Sequence, residues 1–456
     1  MEKFIYIKLF IFALLLIFPL LKEKKVRLYH PAILLAFMFF VEYEIPTLYM
    51  FINPGQDYLY RLHDFKEMID KGLNFVILVF LFFLLGYYSP YYNKNIRNFV
   101  MHILRKVPKL SNYSLQIRNL PMVLIVLLTV GWIVRIFLFK TGLYFHAETG
   151  MEVYIPTGYK LYAQYLNIAS LFPLIGLSLI FVEWLKDLKE IKYFLISLIF
   201  LVTEMLYAIP SGSKERIVFP LFILLVLYSF KHKVPIFSVS IVSVFIVLFV
   251  FPFIGIYRSI IRTGDIAGDL QFAFHIYERI FQRFDPSFLN ELFIAIFGVR
   301  LNFAYIVSII VDKTPQIWDF KMGYTYFLFF ISLIPRIIWP SKPAIAGFSN
   351  DFGRDYGFLH PSDYSTSVAM GWIGEMFINF GWFGVLVAFC YGLLYQTIYS
   401  YFLRTKKITP LSLFLYSFCL YYMMRGDMFA EQFSGLLKTC VTMVFVLMPF
   451  LKKEKA

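Results

Sequence analysis

Apolar runs long enough to cross a bilayer recur along the whole chain, and they leave few folds open to it. They fall at roughly 4–21, 30–52, 73–92, 119–140, 161–185, 191–209, 215–230, 235–257, 372–402, 408–424 and 430–451. A hydrocarbon core about 30 Å thick takes about 20 helical residues to span. Backbone polar groups find no water there, so a span must satisfy them internally, and runs of this length do so as helices. Hydrophobic residues make up 60% of the chain, aromatic residues 21%, and mean hydropathy is +0.69. A soluble core of this length needs far less apolar surface. The expected class is an all-α polytopic membrane protein. It should have about 11 to 13 transmembrane helices and one large extracytoplasmic insertion.

The formal charge of +14 does not point to nucleic acid. Membrane proteins carry Lys and Arg in their cytoplasmic loops for topological reasons, and no nucleic-acid module is present. The basic segments 22–27, 94–118, 186–192, 231–233, 404–407 and 452–455 fall on one side when the spans alternate. That side is expected to be cytoplasmic, with the N-terminus outside and the C-terminus inside. Lys3 and Lys8 before the first apolar run resemble a signal peptide, but no small-residue cleavage site follows and Lys22, Lys24, Lys25 and Arg27 do. The run reads as a retained span. Cys390, Cys419 and Cys440 sit in apolar stretches without metal or disulfide spacing and read as packing residues.

The chain then divides into N-terminal spans (1–257), a large outer region (258–371) and C-terminal spans (372–456), all within one integrated membrane domain. The outer region holds two further apolar stretches, near 291–311 and 323–339, as an extra pair of spans or as re-entrant helices. Asp285-Pro286 looks like an N-cap and N1 proline opening the first. Before it, Ala273, Tyr277, Ile280 and Phe284 share a helical face opposite His275, Glu278, Arg279 and Gln282, the pattern of an interfacial helix. No internal repeat is visible. Within 258–371, Arg258, Arg262, Arg279, Arg283, Arg300, Arg336 and Arg354 outnumber Lys313, Lys321 and Lys342. Arginine's planar fork suits bidentate contact with phosphate oxygens; the alternative is snorkelling to lipid headgroups.

Five motifs lie on the expected outer face. Ser211-Gly212-Ser213-Lys214-Glu215-Arg216 opens a span, and its free N–H groups beside Lys214 and Arg216 suit an anion or form an ordinary capped turn. Pro335-Arg336-Ile337-Ile338-Trp339-Pro340-Ser341-Lys342-Pro343 is a proline-stiffened cationic turn, a candidate diphosphate clamp. The stretch from Gly347 to Gly357 carries Asn350, Asp351, Arg354 and Asp355, with His360 and Asp363 after it. It reads as a sugar-binding loop or a simple connector. Glu375 and Asn379 share a helical face, and an ionisable residue in a span is a functional candidate. Gly384, Ala388 and Gly392 below them read as close helix packing. Arg425-Gly426-Asp427 with Glu431 forms another helix N-terminus, where Asp427 is a catalytic candidate or an N-cap. Glu42 and Glu44 read as a polar lining or a helix-end pair. There is no dinucleotide fingerprint, zinc motif, serine elbow or EF-hand, and neither cofactor nor metal is called for.

Taken together, Ser-Gly-Ser-Lys-Glu-Arg, Gly323-Tyr324-Thr325 leading into the proline-rich turn, and Gly374-Glu375…Asn379-Phe380-Gly381…Gly384 resemble the Wzy-type oligosaccharide repeat-unit (O-antigen) polymerases over roughly 205–430. Lys214-Glu215-Arg216 departs from the small-Arg-Gly turn expected there. The resemblance implies a fold akin to lipid-donor (GT-C-like) glycosyltransferases. It also implies polymerisation of undecaprenyl-diphosphate-linked repeat units at the outer leaflet of the cytoplasmic membrane, without a cofactor. Its implied partners are that lipid-linked glycan, membrane lipids and a chain-length regulator protein. On this reading Arg258, Arg336, Lys342 and Arg354 address the diphosphate, with Arg425 and Lys214 as second candidates. Glu375 is the general base or acceptor ligand, with His360 and Asp427 behind it. A ligase moving finished glycan, or a transporter of lipid-linked oligosaccharide, are the competing expectations.

Overall fold

The computed structural model describes residues 2–23, 27–52, 65–107, 113–115, 120–144, 157–260, 266–282, 301–343, 345–364, 366–404 and 408–453. The N-terminal half comprises helices α1 (Glu2–Lys22), α2 (Pro31–Ile52), α3 (Phe65–Tyr92), α4 (Lys94–Lys106), α5 (Leu120–Lys140), α6 (Thr157–Ala169), α7 (Phe172–Lys186), α8 (Ile191–Ala208) and α9 (Lys214–Lys231). Then follow α10 (236–260), α11 (Ile266–Gln282), α12 (Phe303–Lys313), α13 (Tyr324–Leu333) and α14 (Ile345–Asp355). The chain closes with α15 (Gly371–Phe380), α16 (Gly384–Leu403), α17 (Pro410–Met424) and α18 (Phe429–Leu447). Strands β1 (Tyr113–Leu115) and β2 (Leu451–Lys453) pair antiparallel. Among the described residues, nine helical stretches are long and apolar enough to cross a membrane, with α13 and α17 as shorter apolar helices. The chain is a polytopic all-α membrane protein. Asp285-Pro286, Arg262, Arg283 and Arg300 lie outside the described residues, and α11 is described only as far as Gln282.

Two of the helices carry π turns, at Phe40–Glu44 and Ile246–Val250. Each precedes a proline, Pro46 and Pro252, whose ring would clash with a carbonyl one turn back; widening that turn relieves the clash.

The basic segments meet at one end of the bundle. Lys22 bonds to Tyr92 and Arg404 to Tyr91. Tyr29 stacks on Phe230 at 3.8 Å, Tyr416 donates to the Tyr29 carbonyl at 2.5 Å, and Lys231 reaches the Lys186 carbonyl at 3.0 Å. The β1–β2 ribbon pairs Tyr113 with Lys453.

The close-packing stripe of α16 fits against α3. A Cβ added at Gly392 would lie 2.1 Å from the Phe83 carbonyl oxygen, and one at Gly86 would lie 2.0 Å from that of Phe389. Backbone on both sides leaves nothing soft to yield. Gly392→Ala is therefore expected to lose roughly 1–3 kcal/mol by overpacking. Gly255→Ala, with nothing within 4 Å of its Cβ, should melt at or slightly above the wild-type temperature in detergent.

The apolar run 372–402 is expected from sequence to be one span, and here the structure differs. Trp372 stacks on Tyr391 with ring centroids 5.1 Å apart. In one continuous helix they would be separated by about 28 Å. Gly381, at φ 55°, turns the chain back, so that α15 and α16 form an antiparallel hairpin. A Cβ on Gly384 would meet the Met376 carbonyl oxygen at 2.6 Å.

This reversal carries the start of α15 into the bundle. Trp372 contacts Phe39 of α2 at 5.8 Å and Phe83 of α3 at 6.3 Å, and its backbone N–H donates to the Gly426 carbonyl at 3.1 Å. His30, one helix end away from Phe39, packs on Tyr399 at 5.0 Å and Tyr87 at 5.5 Å at the basic end. Trp372 thus marks a layer inside the bundle, removed from the basic end. The N-terminus of α15, the α17–α18 turn and the π turn of α2 all meet in this layer.

Candidate functional site

Glu375 lies one turn along α15 from Trp372, deep in the bundle and not at the outer end of a span as the sequence suggests. It is 0% exposed. One carboxylate oxygen, Oε2, accepts the Phe429 N–H at 2.7 Å, at the first residue of α18. Free N–H groups at a helix N-terminus favour an anionic partner. The other, Oε1, has no hydrogen-bond partner; the Thr325 hydroxyl, which accepts from Asn379, is the side-chain donor beside the carboxylate. Asn379 fixes the surroundings. Its Nδ2 donates to Thr325 Oγ1 at 2.7 Å and to the Glu375 carbonyl at 2.8 Å, while its Oδ1 accepts the Gly323 N–H at 2.9 Å. The start of α13 is thereby tied to the end of α15.

Arg425 and Asp427 adjoin this group from the α17–α18 turn. Arg425 Nε meets Asp427 Oδ2 at 2.7 Å, and Arg425 Nη1 meets Glu215 Oε1 at 3.4 Å. Tyr421 donates to Glu215 Oε1 at 2.7 Å. Glu42, in the π turn of α2, is charge-coupled to Asp427, and Glu431 to Asp427, Arg425 and Glu375. Burial raises the Asp427 carboxyl above its ordinary range; the Arg425 guanidinium draws it back down and Glu215 pushes it up again. With one guanidinium among five carboxyl groups, the cluster suits taking up a proton better than holding an anion.

The cations of the proline-rich turn sit at the other end of α13. Lys342 is 8% exposed, and its ammonium donates to the carbonyls of Ser332 (3.2 Å) and Ile334 (2.7 Å), capping α13. Arg336 Nη1 donates to the carbonyls of Pro340 and Lys342, both at 3.2 Å. Helix α13 packs along α18, with Tyr326 and Phe329 at 5.5 and 5.3 Å from Phe429, and Lys438 of α18 is charge-coupled to Lys342. Arg336, Lys342 and Lys438 form a cationic patch with no carboxylate bonded to any of them among the described residues.

The remaining candidates lie elsewhere. Arg354 pairs with Asp351, donates to Asn350 Oδ1 at 2.9 Å and stacks 4.2 Å from the Tyr364 ring. His360 is exposed and bonds Ser362 Oγ at 2.7 Å. Lys214 rests 5.1 Å from the Phe251 ring, and Arg258 is exposed near the end of α10. No hydrogen bond or ion pair among the described residues joins these four to Glu375, Asp427 or Arg425. Glu215 enters the cluster although sequence reasoning had looked to its neighbours Lys214 and Arg216. Its signal was present, as a carboxylate at the mouth of a span.

Residues 130–455 match the model of a family described as a domain of unknown function (DUF8712). The chain belongs to this family. No curated protein and no solved structure matches it. The matched region takes in α15 to α18 and Glu215, so Glu375, Arg425, Asp427 and Glu431 lie within the family domain, whereas Glu42 lies outside it.

Proposed function

We propose that the protein is a membrane glycosyltransferase that polymerises polyprenyl-diphosphate-linked oligosaccharide repeat units, with its basic end facing the cytoplasm. The observation that carries this reading is Glu375: a fully buried carboxylate with one oxygen anchored on a helix N-terminus and the other unengaged. Such a group is built to receive a proton from a hydroxyl. In the step proposed, the hydroxyl oxygen of the incoming unit attacks the anomeric carbon of the donor chain. The carbon–oxygen bond to the diphosphate breaks and the polyprenyl diphosphate leaves with the electron pair. The hydroxyl proton passes to Glu375 and into the carboxyl cluster. Arg336, Lys342 and Lys438 are the cations proposed for a diphosphate; Arg425 serves to orient Asp427. The resemblance of the Ser211–Arg216, Pro335–Pro343 and Gly374–Gly384 motifs to repeat-unit polymerases supports the same reading.

A single experiment tests it. Lipid-linked unit extracted from a strain lacking the gene is incubated with purified protein in nanodiscs. A ladder of lipid-linked products is expected; unchanged single units would exclude the reading. A second reading, transport of a lipid-linked saccharide, is favoured by the helix ends that meet inside the bundle, a feature of transporters. It predicts flux into vesicles with no change in glycan length.

A further inference from the structure

Three buried oxygens on side chains that adjoin Phe429 and are charge-coupled to one another lack hydrogen-bond partners: Glu375 Oε1, Tyr326 Oη and Tyr391 Oη. Their side chains converge on one residue. The Phe429 N–H binds Glu375, and its ring lies 5.5 Å from Tyr326 and 5.9 Å from Tyr391. Tyr391 is 3% exposed and held by Trp372 stacked at 5.1 Å. Tyr326 is held by Phe380, stacked at 6.0 Å. Buried polar side chains are nearly always satisfied, and leaving one orphaned forfeits its desolvation cost. Three orphans in one neighbourhood, each on a different helix, with the two phenols braced by aromatic packing and the carboxylate by the Phe429 N–H, ask for a common partner.

The chemistry of the three defines that partner. A carboxylate only accepts, whereas each phenol can donate. The missing group must therefore donate one proton and accept two, which is the capacity of a single hydroxyl. A phosphate monoanion is disfavoured beside Glu375, and an ammonium could not accept from the phenols. We propose that Glu375, Tyr326 and Tyr391 form a three-point seat for one neutral hydroxyl group. Resting on the polymerase reading, that hydroxyl is the nucleophilic one of the acceptor sugar. Its proton points to Glu375 Oε1 and its lone pairs take the two phenol protons. Once the proton has moved to Glu375, the oxygen gains the third lone pair that attacks the donor carbon. The two phenols are binding groups here, and α13, α15, α16 and α18 each contribute a wall.

The test uses full-length protein in nanodiscs, the lipid-linked unit as donor and the same repeat unit freed of its lipid as acceptor. Tyr326→Phe and Tyr391→Phe remove only the hydroxyls. Each is expected to raise KM for the free acceptor about tenfold, with the melting temperature close to wild type. A wild-type protein that transfers nothing to either acceptor overturns the polymerase reading itself. A wild-type protein that transfers, with both Phe variants at unchanged KM, overturns the seat alone. Phe variants that melt lower at unchanged KM also overturn it, because the seat then holds a structural water.

Discussion

Glu375→Gln is expected to cut chain extension by about 10²–10⁴-fold while leaving the protein folded. Glutamine keeps the shape of the side chain and an amide oxygen to accept the Phe429 N–H, so the anchor at the start of α18 survives. What disappears is the capacity of the second oxygen to take a proton. Asp427→Asn should cost less, because Asp427 is already committed to Arg425 at 2.7 Å. It acts on the cluster's charge and not on a hydroxyl. Initial rates of ladder formation, with melting temperatures measured on the same preparations, decide the point. A Glu375→Gln protein that extends chains at the wild-type rate removes this residue from the chemistry, and with it the observation on which the proposed function rests. His360→Ala serves as a contrast. Its ring is exposed and bonded to Ser362, so its loss should leave extension near the wild-type rate.

Much of this arrangement could be read from residue types alone, for a physical reason. Charged residues inside apolar runs are rare because lipid penalises them. Glu375 therefore stood out, while Arg425 and Asp427 were marked by their place at a helix N-terminus, and the α17–α18 turn brings that pair next to the start of α15. The hairpin of α15 and α16 did not stand out. Hydropathy reports whether a stretch avoids water, and 372–402 avoids water equally well as one long helix or as two short antiparallel ones. The one local signal was Gly381, a helix terminator whose φ of 55° suits glycine. Misreading it put Glu375 at the outer end of a span and not inside the bundle. The proline-rich turn shows the opposite limit. Its cations were evident, but their contact with the carbonyls at the end of α13 depends on where that helix stops. Tyr326 and Tyr391 were invisible in another way: with 33 tyrosines in the chain, nothing local marks two whose hydroxyls lack partners.

A second buried charge site, overlooked in the sequence, has the largest expected effect on stability. Arg135 of α5 is 1% exposed and pairs with Glu204 of α8, 5% exposed, at 2.8 Å. Its Nε also donates to the Ser170 carbonyl at 3.0 Å, where the chain passes between α6 and α7. The guanidinium stacks 4.0 Å from the Tyr207 ring, and Arg216 of the Ser211–Arg216 motif lies 5.4 Å from the same ring. The pair thus joins α5, α8 and the turn between α6 and α7, with α9 alongside. Removing one member of a buried pair strands the other charge away from water, which costs about 3–5 kcal/mol. Arg135→Ala and Glu204→Ala are each expected to lower the melting temperature sharply or to prevent accumulation in the membrane. Replacing both at once, Arg135→Met with Glu204→Leu, strands no charge and should recover most of that loss. The non-additivity is the diagnostic quantity. Were the single and double variants to lose stability additively, the pair would be two independent packing contacts. Were the singles to melt like wild type, the charges would be solvated in the membrane, and α5 and α8 would be held together by their apolar faces alone.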